Sequence, residues 1–337
     1  MAIESSGWAT MGDVAEKAGV SKITVSRVLR SPDKVKPETR ERVRAAIAEL
    51  GYVPDEAAGG LSSRRSRIVG AAISTLAGST FASTVDGLGA RLRQNDHQLL
   101  LAGTDYSSAK EADAVATMLG RRPDGLVLTS TTHREETRRT LEAGRVPVVE
   151  IWELPADPIG YAVGFSNRDA GAAMAQHLLA TGRRRMAFIG TAGEGDRRGR
   201  LRYEGFAEVL EQSGSAEVRA TAAAAGTQTA RGARGLAAVL DRWPDTDAVF
   251  CSSDSLALGA LSEARRRGLR VPDDLAVAGF GDFEFAGEFG LGLTTVRVPG
   301  LQIGETAAQL ILDVNAGIEP GDRTIDLGFE VIARVTT

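Results

Sequence analysis

From Ile68 to the C-terminus the chain alternates short apolar runs with stretches of helical periodicity, and few folds accept that beat. IVGAAIST, HQLLLAGT, DGLVLTS, VPVVEIW, YAVGFSN, RMAFIGT, AVFCSSD and LAVAGFGD are too short for helices and nearly continuous in apolar residues, as strands buried on both faces must be. Most lead into amphipathic segments such as MAQHLLATG and LALGALSEARRRG. Strand–helix alternation gives parallel sheets covered by helices on both faces, with ligands at the C-terminal strand ends. The pattern runs once to about Val163 and again from about Asn167. It therefore predicts an α/β architecture of two similar lobes with a cleft between them.

Ahead of this body, residues 10–29 read TMGDVAEKAGVSKITVSRVL, two short helical patterns joined by Gly19. Asp13 suits an N-cap, Val14, Ala15 and Ala18 form an inward stripe, and Gly19 ends the first helix. Ser21 caps a second helix in which Val25 and Val28 face inward, leaving Lys22, Ile23, Thr24, Ser26 and Arg27 outside. A basic and polar face with one aliphatic tip suits the DNA major groove, where Arg and Lys meet guanine or phosphate and an aliphatic group meets a thymine methyl. In a third helix, Pro37 and Glu38 supply the start and Val43, Ala46, Ile47 and Leu50 the inward stripe. These segments predict a three-helix helix-turn-helix headpiece.

DVAEKAGVS, TVSRVL and VKPETRERVRAAIAELGYVP together resemble the headpiece of the LacI-type repressors over residues 10–61. The resemblance implies that Lys22, Ile23 and Arg27 meet base edges, while Thr10, Ser21, Thr24 and Ser26 meet phosphates. It also implies that the linker DEAAGGLSSRRSR folds on the operator and that Leu61 wedges into the minor groove. The C-terminal LTTVRVP, GLQIGETAAQLILDV and TIDLGFEVIARV look like the crossing segments of a periplasmic-binding-protein-like core. The expected organisation is a headpiece at 8–54 and a hinge at 55–67. A first lobe from 68–164 plus 297–323 and a second from 165–296 plus 324–337 complete it.

Charge agrees once it is divided. The net charge of −4 separates into +3 up to Arg67 and −7 beyond it, so any basic patch is local to the headpiece. The single cysteine, Cys251, excludes a disulfide framework and a cysteine-rich zinc site. No run is long enough for a membrane span and no signal-peptide pattern opens the chain, so a cytoplasmic protein is expected. The first strand is followed by AGSTFAS rather than a glycine-rich dinucleotide turn, no Walker motif is present, and His97, His133 and His177 are scattered. The expectation is a binding protein rather than an enzyme, with neither cofactor nor metal.

Candidate effector residues come from the strand ends: Thr80 and Phe81, Thr129 and Ser130, Trp152, Arg200, Ser253 and Asp254, Phe280 and Asp282. Arginine, carboxylates, hydroxyls and aromatic faces suit a polyhydroxylated or sugar-acid ligand. In the LacI-type family an arginine in the RLRYEGF region reaches the effector, which points to Arg200. Gly281 stands where many members carry the acid that follows the aromatic, which leaves the role of Asp282 open. Within the family, KITVSRVLRSPDKV with its Arg30, DGLVLTSTTH, VPVVEIW, VPDDLAVAGF and IDLGF resemble the gluconate-utilisation repressors. That implies a homodimer on a near-palindromic operator, governed by gluconate or a related sugar acid. The alternatives are a sugar-binding module, or a regulator responding to a neutral sugar or a purine pathway.

Overall fold

The computed structural model describes residues 8–53, 66–75, 81–190, 196–214, 219–222, 226–287 and 291–337. Leu61, Thr80 and most of the expected hinge lie outside the described residues. The chain divides into two units, Met1–Ser66 and Arg67–Thr337.

The first unit holds α1 (Met11–Ala18), α2 (Lys22–Arg30) and α3 (Pro37–Leu50). Thr10, and not Asp13, is the cap of α1: its hydroxyl accepts from Asp13 N at 3.3 Å while the Asp13 carboxylate accepts from Thr10 N at 2.8 Å. The expected cap at Asp13 falls three residues too late, because a carboxylate three residues into a helix reaches back to the true cap in a reciprocal box. Gly19 takes the left-handed conformation (φ 62°) that closes α1, and Ser21 Oγ accepts from Thr24 N at 3.2 Å to open α2. Val14, Val25, Val28, Val43, Ala46 and Tyr52 close into a small core, and Lys17 bonds Glu49 between α1 and α3.

The second unit alternates as its sequence requires. It runs β1 (Ile68–Ile73), α4 (Ala82–Arg93), β2 (Gln98–Gly103), α5 (Ser108–Gly120), β3 (Gly125–Leu128), α6 (Glu135–Ala143), β4 (Val148–Ile151) and β5 (Tyr161–Gly164). The pattern repeats in α7 (Asn167–Ala180), β6 (Met186–Gly190), α8 (Arg197–Gln212), β7 (Arg219–Ala222), α9 (Gln228–Arg242), β8 (Ala248–Cys251), α10 (Asp254–Arg266) and β9 (Ala276–Gly281). A short α11 (Glu284–Gly287), β10 (Thr294–Arg297), α12 (Gly300–Asn315), β11 (Thr324–Asp326) and β12 (Glu330–Ile332) follow. The two sheets have the orders β2-β1-β3-β4-β5-β11 and β7-β6-β8-β9-β10-β12, the same strand order twice, and among the described strands only the β10–β12 pair is antiparallel.

The chain changes lobe twice near its end: β10 belongs to the second sheet, α12 packs on α4 in the first lobe, and β12 returns to the second sheet. One boundary differs from expectation. β11 pairs with β5 in the first sheet, Thr324 opposite Ala162, so the return to the second lobe falls after Asp326 rather than at 324. TIDLGFEVI reads as a single strand because its break, Gly328 at φ 67°, interrupts an otherwise extended segment.

Glycines set the spacing of the helices. A Cβ on Gly171 of α7 would lie 1.9 Å from the Arg202 carbonyl oxygen, and one on Gly205 of α8 would lie 1.9 Å from that of Arg168. Reciprocal contacts of this kind also join α9 to α10 through Gly232 and Gly259, and α4 to α12 through Gly87 and Gly304. Each pair lets two backbones approach more closely than any side chain permits.

Candidate functional site

Both lobes of the second unit present C-terminal strand ends to one cleft. In the first sheet, strand order reverses between β1 and β3, where an open α/β sheet forms its crevice. Ser74 and Thr129 stand there, both buried, with hydroxyls 2.7 Å apart. The second lobe supplies the start of α8, capped by Asp196, whose carboxylate accepts from Gly199 N at 3.0 Å. From this turn Arg198 crosses to the first lobe: Nη2 donates to Ser74 Oγ at 3.1 Å, and Nη1 donates to the Thr129 carbonyl. Its guanidinium also lies 5.1 Å from the Phe81 ring centre and 5.9 Å from that of Tyr106. Arg197 makes a second crossing, Nε donating to the buried Glu153 at 2.6 Å.

One helical turn further on lies Arg202. Nη1 donates to Asn167 Oδ1 at 2.6 Å, Asn167 Nδ2 donates to the Trp152 carbonyl at 2.9 Å, and the guanidinium stacks 4.0 Å from the Phe280 ring centre. Trp152 is held at φ 72°, and its indole donates to Thr84 Oγ1 at 2.9 Å. Burial lowers the Arg202 pKa to about 10, which leaves it charged at neutral pH. No carboxylate is hydrogen-bonded to it and its buried Nε has no partner among the described residues. A buried cation with an unspent donor is a counter-charge for an anion.

The cleft has two chambers that share Tyr106, Asp196 and Arg198. The inner one, about 40 Å³, is walled by Phe81, Trp152, Arg202, Gln228, Ser253 and Phe280. The outer one, about 460 Å³, is walled by Tyr106, Ser107, Ser108, Glu111, the run Thr129–Thr132 and Arg200. Only the outer chamber has the size of a small-molecule site.

The residues picked from sequence fall into three groups. Phe81, Trp152, Ser253 and Phe280 line the inner chamber, and Thr129, Ser130 and Arg200 the outer one. Arg200 is at the rim, its side chain 40% exposed and 3.7 Å from Glu204. Asp254 and Asp282 line neither chamber and hold the framework instead. Asp254, fully buried, accepts from Thr295 Oγ1 at 2.6 Å and from Phe283 N at 2.8 Å, and burial raises its pKa to about 6. Asp282 pairs with Arg297 at 2.7 Å and Arg334 at 2.8 Å, which binds β9 to the crossing strands. Missed from sequence were Tyr106, Glu111, Asn167, Glu153, Arg198 and Arg202. The periodicity of α8, with 198, 199, 202, 205 and 206 inward, carried the signal for the two arginines.

In the first unit, α2 presents Lys22, Ile23, Arg27 and Arg30 exposed, Ile23 at 70%, with Thr24 and Ser26 half-buried beside them. Ser21 and Thr24 share a 2.9 Å hydroxyl bond at the start of α2, and at the start of α1 the Thr10 hydroxyl donates to the Asp13 carboxylate at 2.9 Å. Hydroxyls and backbone amides at two helix starts, flanking one basic face, are the geometry of a major-groove reader.

A groove-reading headpiece followed by a two-lobed binding core defines a ligand-responsive transcriptional regulator. The chain belongs to the LacI family: residues 10–55 match the bacterial regulatory proteins of the lacI family, and residues 175–337 the periplasmic binding protein-like domain. It is 38% identical to the HTH-type transcriptional regulator GntR of Pseudomonas aeruginosa, over 99% of this chain and 97% of that one. The crystal structure of a LacI family transcriptional regulator from Silicibacter pomeroyi superposes with a TM-score of 0.90 at 36% identity, covering 97% and 99%. The lac repressor dimer bound to operator and the anti-inducer ONPF superposes at 0.80 with 27% identity, covering 98% and 99%. These relatives are transcriptional regulators, and no described helix is long and apolar enough to cross a membrane.

Proposed function

We propose that the chain is a repressor of sugar-acid metabolism that binds a near-palindromic operator as a homodimer and releases or holds it according to an anionic sugar derivative in the cleft. Gluconate or a phosphorylated gluconate is the ligand class. The observation that carries this reading is Arg202, a buried cation beside an aromatic face, with hydroxyl-bearing residues in the walls of both chambers and no carboxylate hydrogen-bonded to it among the described residues. The likeness to the gluconate-utilisation repressors supports it, and the lac repressor dimer on its operator supports the assembly. Lys22, Ile23 and Arg27 read base edges, Thr10, Ser21, Thr24, Ser26 and Arg30 approach the phosphates, and Leu61 wedges the minor groove. Calorimetry with gluconate, 6-phosphogluconate and glucose tests the ligand class. An acid should bind tightest, and tightest binding of glucose overturns the sugar-acid reading while the regulator remains.

A further inference from the structure

Glu111, in the wall of the outer chamber, belongs to a buried charge cluster that the proposed function leaves unused. His133 sits between two carboxylates, Nδ1 3.1 Å from Glu111 Oε1 and Nε2 3.2 Å from Glu150 Oε1, with all three side chains 3% exposed or less. Glu150 is saturated, because its second oxygen accepts from Ile159 N at 2.7 Å. Glu111 is not saturated. It walls the outer chamber, yet its buried Oε2 has no partner among the described residues, and neither has the buried Oγ1 of Thr131 in the same wall. Buried polar oxygens are nearly always hydrogen-bonded, so two left over in one cavity wall mark where a ligand's donors belong. A carboxylate can only accept, which selects hydroxyl or ammonium groups and rejects a second anion.

We propose that the outer chamber is a polyol subsite in which Glu111, fixed in orientation by His133, accepts hydrogen bonds from the effector hydroxyls remote from its acidic end. This rests on the sugar-acid reading for the placement of the acid at the arginines. The cleft is then bipolar: Arg198 and Arg202 hold the anion, and Glu111 with Thr131 measures the length and hydroxylation of the chain beyond it. Glu111 is accordingly a specificity-determining residue. Burial opposes charge on His133, but its bonds to Glu111 and Glu150 outweigh this and hold its pKa up at about 9, so the ring donates to both partners at neutral pH.

The test compares D-gluconate with the four-carbon L-threonate, which matches it at C1 to C3 and lacks the far hydroxyls, on the full chain and on E111Q. The parent should bind gluconate at least about tenfold tighter than threonate, the worth of one good charge-assisted hydrogen bond. In E111Q that preference should collapse while threonate binding is unchanged. Retained preference in E111Q overturns the subsite, and so does an equal loss for both acids, which marks Glu111 as structural. T131V, which leaves the His133 cluster intact, is the second probe should E111Q not fold, and it should lose gluconate affinity selectively. If the parent binds glucose but neither acid, the sugar-acid reading falls and E111Q is read with glucose instead: a tenfold loss sustains the subsite and no change overturns it. Binding of none of the three by the parent overturns both.

Discussion

At the scale of residues, the arginines of α8 show how position on a helix decides chemistry. Arg198 and Arg202, four apart, share the buried face, whereas Arg200, two residues from each, points to the rim beside Glu204. Arg202→Ala should therefore cost about 2–3 kcal/mol of effector affinity, because a desolvated anion loses its counter-charge. Arg200→Ala should cost less than about 1 kcal/mol, the range for an exposed ion pair. Calorimetry with gluconate distinguishes them, and the reverse order would move the anion to the rim. Choosing Arg200 from sequence followed the motif but not its phase. The polar residues that lock the site, Asn167 and Glu153, were illegible because their partners are remote in sequence. His133 stands isolated in the sequence, since the two glutamates at positions 111 and 150 meet it only through the fold. Its raised pKa makes a second prediction. A histidine whose folded pKa is about 9 against an ordinary 6.5 gives stability that is full below pH 6.5 and lost as pH rises through 9. Urea midpoints of the parent should fall across pH 6.5–9, and those of His133→Gln should stay flat across the same interval.

At the scale of elements, strands were legible wherever apolar runs were buried on both faces. β7 was missed, because Arg219–Ala222 is a four-residue edge strand with no apolar run. Helix pairing was not legible, since a glycine in a helix reads as a weakness until its neighbour is known. In α7 and α8 the reciprocal contacts of Gly171 and Gly205 fix the height at which Arg202 enters the cleft. Gly171→Ala would drive a methyl into the Arg202 carbonyl, so we expect a loss of about 1–3 kcal/mol in stability and weaker gluconate binding as α8 shifts. Gly120, at the end of α5 with open space around it, is the control. Gly120→Ala should be neutral or stabilising by about 0.4–1 kcal/mol, as its unfolded chain loses freedom. Thermal melts of both variants check the pair, and equal melting temperatures would refute the close-packing argument.

At the scale of the whole molecule, regulation is a coupling free energy between operator and effector, and it can be no larger than the effector's preference for one state, typically 1–3 kcal/mol. The two functions use separate residues. Arg27 is on the exposed face of α2 in the first unit, and Arg198 bridges the two lobes of the second through Ser74 and Thr129. These positions make opposite predictions. Arg27→Ala should weaken operator binding by about 1–3 kcal/mol if it reads a base, and weaken it equally with and without gluconate, because the lost contact is the same in both states. Its response ratio should therefore match that of the parent. On the proposed reading Arg198→Ala removes the bonds that distinguish an occupied cleft from an empty one, since an anionic ligand would compete with the Thr129 carbonyl for that guanidinium. Operator affinity without effector should stay near the parent's, and the ratio should shrink toward one. Footprinting at fixed salt, with and without saturating gluconate, measures both ratios. A preserved ratio in Arg198→Ala would place the switch outside this crossing, and an altered one in Arg27→Ala would make the headpiece itself part of the effector's two states.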